Sequence, residues 1–188
     1  AWRECEAFVA LAERRLLPRR GRIVATVGVS GSGKSWLAAR LVAALPAIRI
    51  RSDVERKRLA GLAPLATSGS PPDGGLYVPA ATERTYARLR ELAGTLVAAG
   101  FDVVVDATHL ERTHRVALAA VASRLGSEAT APVLERQLTS RDPLDAGERA
   151  HTVRVDTAGP VDATVVAAAL RAAAAPPDGS TPASVPAF

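Results

Sequence analysis

The stretch Gly28-Val-Ser-Gly-Ser-Gly-Lys-Ser35 has the spacing G-x-x-x-x-G-K-[ST] and decides how the surrounding chain folds. That spacing is typical of a loop whose backbone amides surround phosphate groups, provided that a strand precedes it and a helix follows. Both flanks fit, because residues 22–27 are a short apolar, β-branched run and residues 34–44 have a helical pattern. Lysine occurs at only two positions, and one of them is Lys34. The sequence therefore predicts a nucleoside-triphosphate site.

Each residue type in this loop suits a phosphate ligand. Glycine lets backbone N–H groups turn inward without a Cβ clash. Lys34 would place its charge on the β- and γ-phosphates, and Ser35 would offer its hydroxyl to Mg²⁺. The helix that follows adds the positive end of its dipole. We expect ATP, with GTP as the alternative, and Mg²⁺; the predicted nucleotide-binding residues are Gly28, Ser30, Gly31, Ser32, Gly33, Lys34, Ser35 and Trp36.

Length and composition indicate one α/β domain with a core. The chain has 188 residues, of which 48% are hydrophobic and 23% are charged. Its net charge of +5 comes almost wholly from arginine, which suits anionic ligands, although compositional bias is the simpler explanation for most of these residues. Cys5 is the only cysteine, which excludes an intrachain disulfide and favours the cytoplasm. No apolar run reaches the roughly 20 residues of a membrane span.

The alternation of strands and helices predicts a parallel sheet built from right-handed βαβ units. Together with the phosphate loop, this pattern resembles the P-loop NTPase fold, a three-layer α/β/α architecture similar to that of nucleoside monophosphate kinases. We expect four strands, at residues 22–27, 47–50, 101–105 and 153–155, and a short helical segment at 133–138. Residues 1–20 are expected to form an N-terminal helix, 21–175 the P-loop domain, and 176–188 a disordered tail or linker.

A carboxylate follows the second predicted strand, in Ser52-Asp53-x-x-Arg56. In an open α/β sheet this strand end faces the ligand crevice. Asp53 there could accept the proton of an attacking hydroxyl, and Arg56, one helical turn later, could hold an anionic part of the acceptor or the transferring phosphoryl group. The simpler interpretation is that Asp53 caps the helix; the two roles are compatible.

A second carboxylate ends the strand Val103-Val-Val-Asp106, which has the form of a Walker B element. Asp106 would hold Mg²⁺ directly or through water, because a buried unpartnered carboxylate is costly. Thr108 could support the same site.

Other polar residues near this strand are weaker candidates. No third ligand is spaced for zinc beside His109 and His114, so both are interpreted as ordinary loop and helix histidines. Arg112 and Arg115 could bind the acceptor or could be solvated helix residues. Three residues lie where nucleotide kinases carry a mobile lid: Arg136, Gln137 and Arg141.

The motifs taken together resemble a kinase family. They comprise the phosphate loop, the stretch Ser52–Gly61, Gly75-Leu-Tyr-Val-Pro79, Glu83-Arg-Thr-Tyr86 and Val105-Asp-Ala-Thr108. This set resembles P-loop kinases related to zeta toxins and polynucleotide kinase, and especially the kinase domain often fused behind an aminoglycoside-phosphotransferase-like domain. The resemblance implies that Lys34 and Ser35 bind ATP and Mg²⁺, that Asp53 is the acceptor-side base, that Arg56 anchors the acceptor and that Asp106 belongs to the metal site.

The sequence departs from that family after the helix that ends near Leu125. Family members continue with a core strand and an arginine-bearing lid helix, whereas here the chain passes from Gly126 directly to Ser127-Glu-Ala-Thr. We therefore expect a gap near residues 126/127, with the strand and the lid absent from this sequence. The absence of methionine fits a chain from which residues are missing.

The sequence as a whole predicts an ATP- and Mg²⁺-dependent kinase that phosphorylates a hydroxyl of a small molecule, with Lys34, Asp53 and Arg56 as catalytic residues. One alternative is an ATP-binding regulatory module of a two-domain protein, which a neighbouring phosphotransferase-like domain would favour. A second alternative is a polynucleotide 5′-hydroxyl kinase, but the scarcity of aromatic residues for base stacking argues against nucleic acid.

Overall fold

A computed structural model describes residues 2, 5–6, 21–67, 75–126, 129–134, 142–157, 159–173 and 184–185. The strands within them are β1 (Ile23–Ala25), β2 (Ile48–Arg51), β3 (Val103–Asp106), β4 (Ala129–Leu134), β5 (Thr152–Val155) and β6 (Ser184–Val185). The helices are α1 (Lys34–Ala44), α2 (Ser52–Leu59), α3 (Pro79–Ala98), α4 (Arg112–Arg124), α5 (Ala146–Ala150) and α6 (Ala163–Ala173), and a 3₁₀ turn spans Gly75–Tyr77.

The strands form one sheet in the order β2-β3-β1-β4-β5-β6, and every pair in it is parallel. The register places Ile23 beside Val103 and Arg51 beside Asp106. The carboxyl ends of β1, β2 and β3 therefore meet at one edge of the sheet. This arrangement follows from short β-branched strands joined by helical crossovers.

Alternating side chains of β1 and β3 supply two apolar layers. Ile23, Val103 and Val105 pack on one face with residues of α3 and α4. Val24 and Val104 pack on the other face with residues of α1 and α6. The three-layer α/β/α fold predicted from the sequence is confirmed.

The predicted strand count was wrong. β4 occupies residues 129–134, where no core strand was expected and where a helical segment was predicted to begin at Val133. Its first two residues pair with β1 and its last four pair with β5, so the sheet is continuous across the position of the expected missing strand. The stretch Ala129-Thr-Ala-Pro-Val-Leu134 contains proline and two alanines, which are poor strand formers. Parallel pairing on both sides overrides this weak local preference.

Few residues near the two ends of the sequence are among those described. Of the expected N-terminal helix, residues 2, 5 and 6 are described, and all three are helical. Within residues 176–188, the expected linker, residues 184–185 form β6 beside β5.

The predicted lid residues Arg136, Gln137 and Arg141 lie outside the described residues. Among the helices that are described, none is both long enough and apolar enough to cross a lipid bilayer.

Candidate functional site

The phosphate loop is attached to the loop that follows the neighbouring strand β3. The Thr26 hydroxyl donates a hydrogen bond to the Ala107 carbonyl at 2.8 Å, and the Gly28 amide donates to the Thr108 carbonyl at 3.0 Å. Gly31 and Gly33 have φ values of 79° and 83°, a left-handed conformation that glycine adopts without strain. The loop thus turns directly into the first residue of α1, as the motif predicts.

Lys34 lies folded over its own loop. Its side chain is buried, and its ammonium donates hydrogen bonds to the Val29 carbonyl and, at 3.3 Å, to the Ser32 hydroxyl. Burial lowers the pKa of Lys34 below its ordinary value, and the negative charge of Asp106 partly opposes that shift. Among the described residues, the hydrogen-bond partners of Lys34 are neutral, and polyphosphate would supply an anionic one.

Ser35 and Asp106 meet at the start of α1 and the end of β3. The Ser35 hydroxyl lies 2.9 Å from Asp106 Oδ2 and 3.2 Å from Oδ1. Adjacent oxygens around a six-coordinate Mg²⁺ with bonds of about 2.1 Å are about 3 Å apart. A hydroxyl and a carboxylate at this separation fit a magnesium ion, so Ser35 and Asp106 are the residues that would hold it.

Two arginines that the sequence analysis did not single out also reach Asp106. Arg49 donates to Asp106 Oδ2, and the Nε of Arg51 lies 3.9 Å from the same oxygen. Both come from β2, where the alternation Ile48-Arg-Ile-Arg51 indicates polar side chains on one face. They place positive charge beside the phosphate loop. A bound cation would compete with Arg49 for Oδ2.

A cavity of about 360 Å³ opens between the phosphate loop and the end of β2. Most of the predicted nucleotide-binding residues line it, together with Asp106, Thr108 and Asp53; the lining comprises Ser30, Gly31, Gly33, Lys34, Ser35, Trp36, Arg51, Ser52, Asp53, Asp106, Ala107 and Thr108. The half-exposed indole of Trp36 has the Arg40 guanidinium 3.7 Å from its ring centre.

Asp53 lies in the first turn of α2 and does not cap it. The residue before the helix is Arg51, and no side chain caps that end. The carboxylate is 44% exposed, and its Oδ2 accepts a hydrogen bond from Lys57 at 2.9 Å. Asp53 therefore faces the cavity, and a cation binds one of its carboxylate oxygens. The helix-capping role considered from the sequence is not observed.

Arg56 and Thr108 occupy different positions relative to this cavity. Thr108 lines it, and its hydroxyl is 3.0 Å from the Tyr86 hydroxyl, which in turn accepts a hydrogen bond from the His109 amide at 3.2 Å. Arg56 is not among the lining residues; its guanidinium lies 4.7 Å from the Tyr77 ring centre. The buried Nε of Arg56 has no hydrogen-bond partner among the described residues.

Residues 23–141 match a protein family described as AAA domain (AAA_33). The chain belongs to this AAA domain family. Among solved structures, this AAA domain is similar to the APS kinase CysC of Mycobacterium tuberculosis, at 22% identity and a TM-score of 0.61, over 83% of this chain and 98% of that one. A gluconokinase from Sinorhizobium meliloti is similar at 22% identity and a TM-score of 0.50, over 84% and 91% of the two chains.

A sugar kinase from Janibacter sp. is similar to this AAA domain at 18% identity and a TM-score of 0.51, over 74% of this chain and 87% of that one. Among curated proteins, none matches the chain. These similarities establish that the AAA domain has the fold of the P-loop kinases.

Arg112 and Arg115, the two predicted acceptor-binding residues on α4, do not line the cavity of this AAA domain. Arg112 pairs with Asp145 at 2.7 Å on the surface. Arg115 is buried, pairs with Glu148 at 2.8 Å, and donates to the carbonyl of His109 at 3.1 Å. Both guanidinium groups are bound by acidic residues of or beside α5, which no sequence spacing indicated.

His109 is fully buried beside the phosphate loop of the AAA domain. Its Nδ1 donates to the Thr26 carbonyl at 2.9 Å, which fixes the neutral ring's tautomer. Burial lowers the pKa of His109 to about 4, so the ring is uncharged at neutral pH. His109 is thus a buried residue that packs within the loop after β3, in agreement with its interpretation as an ordinary loop histidine.

Proposed function

We propose that this chain is an ATP- and Mg²⁺-dependent kinase that transfers the γ-phosphoryl group of ATP to a hydroxyl of a small molecule. The supporting observation is that one cavity contains Lys34, Ser35 and Asp106 together with the exposed carboxylate of Asp53. A phosphate-binding module needs the first three residues. A carboxylate on the opposite wall has a chemical role where the hydroxyl of an acceptor must lose its proton.

The proposed reaction is an in-line displacement. The acceptor oxygen forms a bond to the γ-phosphorus, the bond from that phosphorus to the β,γ-bridging oxygen breaks, and the leaving group is ADP. The proton of the acceptor hydroxyl goes to Asp53. Lys34 and the amides of the phosphate loop stabilise charge on the phosphates. Mg²⁺, held by Ser35 and Asp106, would neutralise further phosphate charge.

The Lys57 contact is compatible with this role for Asp53. Lys57 holds Oδ2 at 2.9 Å, which orients the carboxylate, and the base role falls to the other oxygen. Arg56 is the proposed anchor for an anionic part of the acceptor, because its guanidinium lies over the Tyr77 ring and its Nε has no hydrogen-bond partner within the described part of the chain. Guanidinium groups suit phosphate and carboxylate ligands because of their planar fork of donors.

The names of the similar structures support a small acceptor. They are called APS kinase, sugar kinase and gluconokinase, and one APS kinase structure holds AMPPNP and APS. Within the P-loop kinases, we assign this chain to the zeta-toxin and polynucleotide-kinase-like group on its sequence motifs. The same resemblance favours a fused or neighbouring phosphotransferase-like domain, and ATP use favours the cytoplasm.

The test is acceptor-dependent ADP release over a panel of sugars, aminoglycosides, nucleosides and nucleotide-sugars. We expect one class to raise ADP release well above basal hydrolysis. Asp53→Asn should then lower transfer by about 10²–10⁴-fold while ATP affinity stays unchanged. Glu91→Gln, which removes an exposed carboxylate that does not line the cavity, is the control and should leave transfer unchanged.

Two results would contradict the proposal. If no acceptor raises ADP release and Asp53→Asn hydrolyses ATP at the parent rate, the chain is an ATP-binding regulatory module. If only a 5′-hydroxyl oligonucleotide is phosphorylated, and its binding weakens steeply with salt, the acceptor is nucleic acid. Transfer by Asp53→Asn at the parent rate would remove the base assignment alone.

A further inference from the structure

A histidine and two glutamates converge where α3 meets the start of α4. His114 lies in α4, Glu111 immediately precedes that helix, and Glu83 lies in the first turns of α3. His114 Nε2 is 3.4 Å from Glu83 Oε1 and 3.4 Å from Glu111 Oε2, and one donor atom of each residue lies within 4.8 Å of the others. No sequence spacing links Glu83 to the other two, and its contribution comes from helix packing.

The histidine at the centre of this cluster has an unsatisfied nitrogen. His114 is 4% exposed, and its Nε2 makes no hydrogen bond among the described residues although two carboxylates lie near it. Buried polar atoms are nearly always partnered, and each exception calls for an explanation. One oxygen of each carboxylate lies 3.4 Å from this nitrogen, so a cation bound by all three residues would give it a partner.

We infer that Glu83, Glu111 and His114 bind a divalent transition-metal ion of the zinc type, at a site separate from the ATP cavity. Zinc takes nitrogen and carboxylate ligands at about 2.0–2.2 Å in tetrahedral geometry. Two ligands of such a tetrahedron are about 3.4 Å apart by geometry. Both distances from Nε2 to the carboxylates equal that edge. Water would take the fourth position.

The surroundings of the site suit an ion that enters from solvent. The side chains of Glu83 and Glu111 are 63% and 43% exposed, so both carboxylates are open to water. The His114 ring is held by stacking on Tyr86, with ring centres 3.7 Å apart and an angle of 3° between the planes. The one nitrogen ligand is therefore fixed in place before an ion binds, which lowers the entropic cost of binding.

A bound ion would join α3 to the start of α4. Tyr86 lies between the metal site and the ATP cavity, since its ring stacks on His114 and its hydroxyl is 3.0 Å from that of Thr108. Because the ion binds only the folded arrangement of the three residues, it should raise the thermal stability of the chain. This effect requires no nucleotide, so its test is independent of the proposed kinase activity.

The experiment titrates Zn²⁺ into the full chain carrying Cys5→Ser, against a chromogenic chelator. Cys5 is an exposed thiol that would otherwise bind zinc, and an excess of Mg²⁺ occupies the Ser35–Asp106 position. We expect one equivalent to bind and Tm to rise. Loss of a residue that hydrogen-bonds to a metal ligand weakens metal binding by roughly 10- to 100-fold. Because Glu83 would itself be a ligand, Glu83→Gln should weaken zinc binding by more than this.

Glu91→Gln is the matched control, because Glu91 is exposed on the same helix α3 and lies outside the cluster. It should bind zinc as the parent does. Co²⁺ in place of Zn²⁺ should give the visible absorption of a tetrahedral site in the parent and in Glu91→Gln, and not in Glu83→Gln. His114→Phe keeps a ring to stack on Tyr86 and should bind no metal.

Equal zinc affinity in the parent, Glu83→Gln and Glu91→Gln would overturn the proposal. So would the absence of binding in the parent, or a zinc-dependent rise in Tm that persists in Glu83→Gln. If His114→Phe fails to fold, the two glutamate variants still decide, because both positions are exposed and neither substitution removes core volume.

Discussion

The two walls of the proposed ATP cavity are built differently. On the phosphate side, Lys34 and Asp106 are 8% and 5% exposed, and the loop is tied by hydrogen bonds to the residues after β3. On the acceptor side, Asp53 is 44% exposed and makes its contact within its own helix, with Lys57. The phosphate side is thus rigid before any ligand arrives, whereas the acceptor side depends on how α2 is positioned. Phosphate binding therefore follows from residues that are close in sequence, whereas acceptor binding depends on tertiary packing.

The largest expected effect tests whether Arg115 belongs to the acceptor side or to the scaffold. Arg115→Gln leaves the Glu148 carboxylate, which is 19% exposed, without its partner. Breaking a buried ion pair in this way costs about 3–5 kcal/mol of folding free energy. We expect urea denaturation to show a loss of that order, while KM for the acceptor of the remaining folded protein is unchanged.

Arg112→Gln is the matched control for this change, because Arg112 forms its ion pair with Asp145 on the surface, less than one helical turn away. Surface pairs contribute little, so its urea midpoint should equal that of the parent. A raised acceptor KM in Arg115→Gln would return this residue to the acceptor side.

The two lysines of the chain provide a direct test of the comparison, since Lys34 lines the phosphate side and Lys57 pairs with Asp53 of the acceptor side. Lys34→Met removes the charge aimed at the phosphates, and loss of one such preorganised donor lowers kcat by about 10²–10³-fold. Lys57→Met removes the partner of Asp53 and a 3.4 Å hydrogen bond to the Pro64 carbonyl, and should leave ATP affinity unchanged. Titration with a fluorescent ATP analogue, together with ADP release, measures both quantities. An equal loss of ATP affinity in both variants would contradict the division into two walls.

Lys34→Met should also fold as well as the parent. Burial lowers the pKa of Lys34, which means that the charged form is disfavoured in the folded state. An apolar side chain of similar length removes that cost, so Tm should be unchanged or higher.

His109, buried in the loop after β3, makes stability depend on pH. Its pKa is about 4 in the folded chain, against an ordinary value of 6.5. Between these values the unfolded state binds a proton that the folded state does not, so stability falls as pH falls through that window. The loss below pH 4 is about 3 kcal/mol for a shift of this size.

Urea unfolding between pH 7 and 4 measures this effect against His109→Asn. Asparagine accepts the positive φ of 43° at this position and carries no titrating group. The carboxylates contribute equally to both proteins, so the difference between the two curves isolates His109. Parallel curves across the window would show that His109 takes up its proton in the folded state.

The sequence was sufficient to predict those features that depend on residues adjacent along the chain. The phosphate loop and the ends of β1 and α1 follow from local chemistry, because glycine, lysine and serine at fixed spacing allow one backbone path. Asp106 was predictable since a buried strand ending in a carboxylate requires a partner, and Ser35 provides it at 2.9 Å. Thr108 was likewise predicted from its place after that strand.

The remaining features depend on contacts between distant parts of the chain. β4 has a weak local preference and becomes a strand through pairing with β1 and β5. Arg115 is buried because Glu148 lies opposite, and Glu83 reaches His114 because α3 packs on α4. Nothing in the residues around these positions indicates their partners. The position of Arg115 at the start of the helix after Asp106 therefore led to its interpretation as either an acceptor ligand or a solvated helix residue.

The smallest expected effect concerns whether Trp36 extends the phosphate side toward the base of the nucleotide. Arg40 covers one face of the indole at 3.7 Å, and cation–π contacts at exposed sites contribute little, so Arg40→Gln should weaken ATP binding by only about 2- to 5-fold. Inorganic triphosphate contacts the loop alone, and its affinity should not change. Arg124→Gln, at the far end of α4, is the control. If triphosphate binding weakens as much as ATP binding, Trp36 and Arg40 act on the phosphate loop, and the rigid wall extends further along α1 than the hydrogen bonds indicate.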